Sequence, residues 1–181
     1  MPNNALVWDA APRCGLRPTA WPLGAKVTDE AKFNRFSISL KDFERAVEFL
    51  AEAKKHQINS IIHEALVFAA IVCYYRPFSP NEKDPQAPAA SQLSLSDFSP
   101  LSTDELAIHE KCKELRNKAL AHAEFKYHPT RLDLETRVIS SALFSLVGNA
   151  PDLTKLTELA QKLITECHNK RADYVRKART P

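Results

Sequence analysis

The chain has 181 residues, of which 44% are hydrophobic and 26% charged, with a net charge of +3. This balance excludes a fibre or a wholly disordered chain, and the length supplies a core for one domain without metal or disulfide. The slight basic excess is compatible with an anionic partner. The three glycines, Gly15, Gly24 and Gly148, have neither P-loop nor dinucleotide-fingerprint spacing.

Residues 1–35 read as an irregular N-terminal arm. Pro2, Pro12, Pro18 and Pro22 break any regular pattern, yet the arm carries both tryptophans, Trp8 and Trp21. Two such residues predict that the arm packs on the body or on another subunit. The opening Met-Pro-Asn-Asn-Ala-Leu-Val-Trp-Asp has no basic region followed by an apolar one, so a cytoplasmic, reducing setting is expected. Cys14, Cys73, Cys112 and Cys167 form no CxxC pair and are expected as free thiols rather than zinc ligands.

A single helical domain is expected over 36–181. Phe36, Leu40, Phe43, Val47 and Leu50 recur at steps of three and four, which predicts a helix over 36–56. Asn59 or Ser60 can cap a second helix running to about Tyr75. That helix is apolar almost all round, which predicts a place at the centre of a bundle, ended by Pro77. It is shorter than the roughly 20 residues that span a bilayer, so no membrane contact is expected.

Residues 77–100 hold Pro77, Pro80, Pro85, Pro88 and Pro100 and no apolar period. They predict a long mobile loop inside the domain. Ser102-Thr103-Asp104-Glu105 has capping-box spacing, so a third helix starts near Thr103, with Ile108, Cys112, Leu115 and Ala119 as its stripe. Its end is expected between Ala123 and Lys126.

Residues 131–147 suit either a helix stopped by Gly148 or a short hairpin; the apolar spacing favours the helix. A last helix is predicted from about Asp152 to Ala178, with Leu153, Leu156, Ala160, Leu163, Cys167 and Tyr174 inward. Its basic end, Lys170, Arg171, Arg176, Lys177 and Arg179, suits either RNA phosphates or the helix dipole. The sum is an all-α bundle of four to five helices with a proline-rich internal loop and an irregular N-terminal arm.

The segment Leu115-Arg116-Asn117-Lys118-Ala119-Leu120-Ala121-His122 concentrates the chemistry. Histidine can move a proton near neutrality. Arginine presents a permanent planar charge to phosphate oxygens and to the charge that develops in a transition state. RNA brings its own 2′-hydroxyl nucleophile, so this set needs no metal or cofactor. At 100° per residue, Arg116 and His122 project about 120° apart. They converge through the long arginine side chain or across a two-fold axis that brings two copies together. The bland alternative leaves His122 as a core histidine and pairs Arg116 with Glu110, Asp104 or another carboxylate.

Arg116, five intervening residues and His122, with polar Asn117 directly after the arginine, resemble the signature of the HEPN superfamily (higher eukaryotes and prokaryotes nucleotide-binding domain). The resemblance implies an α-helical bundle, dimerisation across the motif helices and metal-independent endoribonuclease activity. It further implies a setting in phage defence or in a toxin–antitoxin pair, with a cognate antitoxin or regulator protein as partner. In that reading His122 is the general acid or base and Arg116 the phosphate clamp. Asn117 is an orienting hydrogen-bond donor, and Lys118 a lesser phosphate contact. The alternative is a non-catalytic binding or adaptor module, antitoxin-like or nucleotide-binding. His63-Glu64 lacks the second histidine of a helical zinc site, and His109 with Cys112 would supply only half of one. A solvated His109 and a buried Cys112 are expected instead.

Overall fold

The computed structural model describes residues 27–80, 92–120, 130–141, 146 and 148–179. Among these residues the chain forms four α-helices: α1 (Val27–Ala53), α2 (Ile61–Tyr75), α3 (Thr103–Glu114) and α4 (Leu153–Arg179). The fold is all-α, with one small two-stranded hairpin in the chain between α3 and α4.

Helix α1 packs along both α2 and α4, and α3 touches α2 and α4. Its inward stripe is Phe36, Leu40, Phe43, Ala46, Leu50 and Ala53, all buried. From α4 come Leu156, Leu159, Ala160, Leu163 and Cys167. The expected start at residue 36 is too late: α1 begins at Val27, so 27–35 are helical and not part of an irregular arm. The early turns had no apolar repeat to announce them. They are held instead by Arg35, by Lys32 paired with Asp97 at 2.9 Å, and by Arg171 of α4 over the Phe33 ring. The arm tryptophans lie outside the described residues.

The expectation that α2 sits at the centre is also corrected. Val67, Ala70, Ile71, Cys73, Tyr74 and Tyr75 are buried, but Ile61, Ile62 and Phe68 are exposed. The central helix is α1, which is amphipathic on the sequence pattern but broad enough to serve two neighbours. The stretch Ile61–Phe78 is long and apolar enough, by length and composition, to cross a membrane, with 44% of it buried inside the protein. Ser60 caps α2, its hydroxyl accepting from the His63 N–H at 3.2 Å. Asn59 before it adopts φ of 71°, a left-handed turn that asparagine tolerates.

The flanks of the proline-rich segment are built structure. Arg76–Phe78 and Leu95–Asp97 are single 3₁₀ turns, and Pro77, Phe78, Leu93 and Phe98 are buried. Phe78 lies 6.0 Å from Phe98 and 5.9 Å from Phe43, ring to ring. The Pro77 carbonyl accepts from the Leu93 N–H at 2.8 Å and from Arg35 Nη2 at 2.6 Å. Glu166 of α4 accepts from Ser99 twice, both at 2.7 Å. The mobile loop expected over 77–100 is therefore anchored at both ends, because isolated aromatic residues in a non-periodic stretch can still fill a core. Residues 81–91 lie outside the described residues.

Two antiparallel strands, β1 (Thr130–Asp133) and β2 (Val138–Ser141), pair Thr130 with Ser141 and Asp133 with Val138. The helix favoured for 131–147 is thus corrected over 130–141. Asp133 Oδ1 accepts from the N–H groups of Glu135 and Thr136 at 2.9 and 3.1 Å, fastening the turn through a side chain rather than through apolar spacing. Gly148 has φ of +73°, as a helix or turn terminator requires. Asp152 then caps α4, accepting from Thr154 and Lys155.

Candidate functional site

Helix α3 starts where its capping box places it. The Ser102 hydroxyl accepts from the Glu105 N–H at 3.3 Å, and Glu105 accepts from the Ser102 N–H at 2.7 Å. Glu105 also holds Lys162 of α4 at 3.0 Å, while Asp104 holds Lys155 at 2.6 Å. These contacts fix the first turn of α3 on α4. Ile108 and Cys112 continue the buried stripe.

At Leu115 the winding changes. Leu115–Leu120 forms a π turn, wider than an α turn, and Leu115 is fully buried at its start. Such widened turns recur where a helix carries a functional group. Each residue in a π turn advances by less than 100°, so the α-helical step does not hold through Leu115–Leu120.

Arg116 and Asn117 follow that buried anchor, both half-exposed. Arg116 Nη1 donates to Asn117 Oδ1 at 2.9 Å. A guanidinium has only donors, so the amide must turn its oxygen to it. Asn117 therefore acts toward Arg116 as an acceptor, and the donor role expected of it falls to its amide nitrogen. The carboxylates named as competitors for Arg116 are engaged elsewhere: Glu110 with Lys113 at 2.9 Å and Asp104 with Lys155. Lys118 lies within the π turn, and nothing is described of its side chain. His122 lies outside the described residues, as does the expected helix end between Ala123 and Lys126.

Two further residues belong to this neighbourhood. Tyr75, at the buried end of α2, carries a phenol close enough to feel the charges of Lys113, Glu110 and Arg116. Burial pushes its pKa up, opposed by Lys113 and Arg116. Lys113, one turn before Asn117, lines an open depression of about 510 Å³ with Ala107, Glu110, Lys111, Glu114 and Asn117. No motif announced either residue. The one signal for Tyr75 was its place in Tyr74-Tyr75 just ahead of Pro77, where α2 must stop.

The other sequence candidates resolve plainly. His109 is not solvated. It is buried, beside an equally buried Cys112. Cys73, Cys112 and Cys167 are free thiols, and burial raises the pKa of each, Cys167 to about 12. Among the described residues no cluster of histidine, cysteine and carboxylate could hold a metal ion. In the basic end of α4, Arg171 sits over Phe33, Lys177 over Tyr174, and Arg176 pairs with Asp173. Those contacts give three of its cations a structural use.

Compared with models of protein families, with curated proteins and with solved structures, the chain matches none. The functional reading therefore rests on the residues of the α3 segment themselves.

Proposed function

We propose that the protein is a metal-independent endoribonuclease of HEPN type, built as a homodimer with a composite Arg116/His122 site. The observation that carries this reading is the Arg116–Asn117 pair: a half-exposed guanidinium, gripped on one edge by an amide oxygen and seated on a π turn whose first residue is buried. A fixed arginine fork loses less freedom when it meets a phosphate than a solvated lysine does. Two carboxylates that could have paired with it, Glu110 and Asp104, are bonded to lysines instead.

In the proposed reaction the RNA 2′-oxygen attacks phosphorus as its proton passes to a base. The P–O5′ bond then breaks and the 5′-oxygen takes up a proton. The products are a 2′,3′-cyclic phosphate and a 5′-hydroxyl. His122, from the same or the second copy, is assigned one of these proton transfers. Arg116 is assigned the added negative charge on the non-bridging oxygens. Asn117 orients Arg116, and Lys118 contacts a neighbouring phosphate. A role in phage defence or as a toxin held by a cognate antitoxin accompanies this reading. The test is purified protein with total RNA in EDTA, with product ends analysed for the cyclic phosphate.

A second reading is a non-catalytic adaptor or antitoxin-like module. It draws on Ile61, Ile62 and Phe68 of α2 and on Ile58 in the turn before it, all exposed, since exposed apolar patches mark contact sites. Failure of the RNA assay together with a stable complex through that face would favour it.

A further inference from the structure

Between α2 and α3 lies an imidazole that the proposed reaction does not use. His109 retains 3% of its surface. Its Nδ1 is 3.1 Å from the Tyr74 hydroxyl. Its ring stands edge-on to Phe78 at 4.7 Å and lies 5.4 Å from the Tyr75 ring. Among the described residues, these charged and titratable groups act on it or on its partners. On α3, Glu110 favours the charged imidazole and Lys113 opposes it, and these two are paired with each other. Cys112 and Glu105 of the same helix act on Tyr74. From α2 come the phenols of Tyr74 and Tyr75. In the turn after α2, Arg76 is committed to Asp42 of α1.

We propose that His109 is an acid-operated latch on the α2–α3 contact. Neutral, the imidazole is one member of the aromatic cluster. Protonated, it leaves the cluster, and the part of α3 that leads into Arg116 and Asn117 loosens from α2. A charged imidazole must give up its water to remain where it is, and the described site offers it a phenol but no directly bonded carboxylate. Arg116 lies seven positions after His109, where α3 runs directly into the π turn that also packs on α2, so a loosened His109 loosens the seat of Arg116.

Burial lowers the His109 pKa in the folded chain. The unfolded chain takes its proton near pH 6.5. The stabilisation is thus complete above about pH 6.5 and is lost as pH falls from there through the folded-state pKa.

The test compares thermal unfolding of the full chain and of His109→Gln at about pH 7.5 and pH 5, a range that brackets the ordinary histidine pKa. Glutamine keeps a hydrogen-bonding group for Tyr74 but cannot titrate, and the remaining histidines are common to both proteins. Wild type should lose about 2–4 °C more than the variant on acidification. Equal losses overturn the latch. If the variant does not fold, NMR titration of wild type decides. A His109 midpoint below about 6.5, with α3 amides losing exchange protection over the same range, supports it; a midpoint at or above that value overturns it. None of these readouts depends on RNA cleavage, so the latch and the ribonuclease reading fail separately.

Discussion

Arg35 illustrates how one side chain can hold a fold together while leaving no trace in a hydrophobic pattern. It is 1% exposed, and its Nη2 donates to the carbonyls of Pro77 and Arg76, the point where α2 ends and the proline-rich segment leaves. Burial lowers its pKa, with Asp42 working in the opposite direction. Removing the guanidinium relieves a desolvated charge but takes the charged donor from two interior carbonyls, which keep only the N–H groups of Leu93 and Ser79. The second effect is expected to win, because hydrogen bonds from a charged donor to interior carbonyls are among the strong ones. Arg35→Met should cost about 1.5–3 kcal/mol in urea unfolding; a loss under about 0.5 kcal/mol would show that water replaces the donor. Asn117 is the other informative residue. If its oxygen orients Arg116, Asn117→Ala should slow RNA cleavage by up to about 10²-fold. Asn117→Asp, which keeps an acceptor, should lose less. Equal losses in the two variants would remove the orienting role. The sequence marked Asn117 by position alone; the direction of its hydrogen bond depends on which atom Arg116 faces.

Among the elements, α3 was the most legible. Its capping box, its start and its buried Ile108, Cys112 and Leu115 follow from local spacing, because both caps and stripes are short-range features. Ser102→Ala should therefore destabilise the fold by about 1 kcal/mol, read as a lower unfolding midpoint with an unchanged denaturant slope. The π turn after α3 was not legible, since no residue type marks a widened turn. The hairpin at 130–141 was misread for a related reason: Val138 and Ile139 fit both periods, and the deciding contact is the Asp133 carboxylate on two backbone N–H groups. Helix α4 was read nearly to its bounds because Asp152 and a clean stripe coincide there. The thiols offer a check on these packed elements. With Cys112 buried and Cys167 pushed up to about 12, neither should react with iodoacetamide in the native protein at mild alkaline pH, and both should react in urea. Labelling of either in the folded chain would mean that α3 or α4 opens readily.

For the molecule as a whole, the fold class was legible and the arrangement was not. Four helical stretches and an interrupting segment can be counted along the chain. Which helix is central depends on the width of each apolar face and on neighbours remote in sequence. Helix α2, with the highest apolar content, leaves Ile61 85% exposed, while α1 serves two partners. The segment flanks that looked like linker fill the core through Phe78 and Phe98, long-range contacts that periodicity cannot register. The candidate segment could be picked out by residue type at Arg116 and Asn117, and the nearby Tyr75 and Lys113 came only from the fold. The central claim, that Arg116 and His122 cleave RNA without metal, meets its most direct test in one assay. Wild type, Arg116→Ala and His122→Ala, each shown to be folded by circular dichroism and melting, are incubated with total RNA in excess EDTA. Wild type should cleave and leave 2′,3′-cyclic phosphate ends, with losses of about 10²–10³-fold for Arg116→Ala and about 10²–10⁴-fold for His122→Ala. Cleavage by either folded variant at the wild-type rate, or cleavage that EDTA abolishes, would contradict the account.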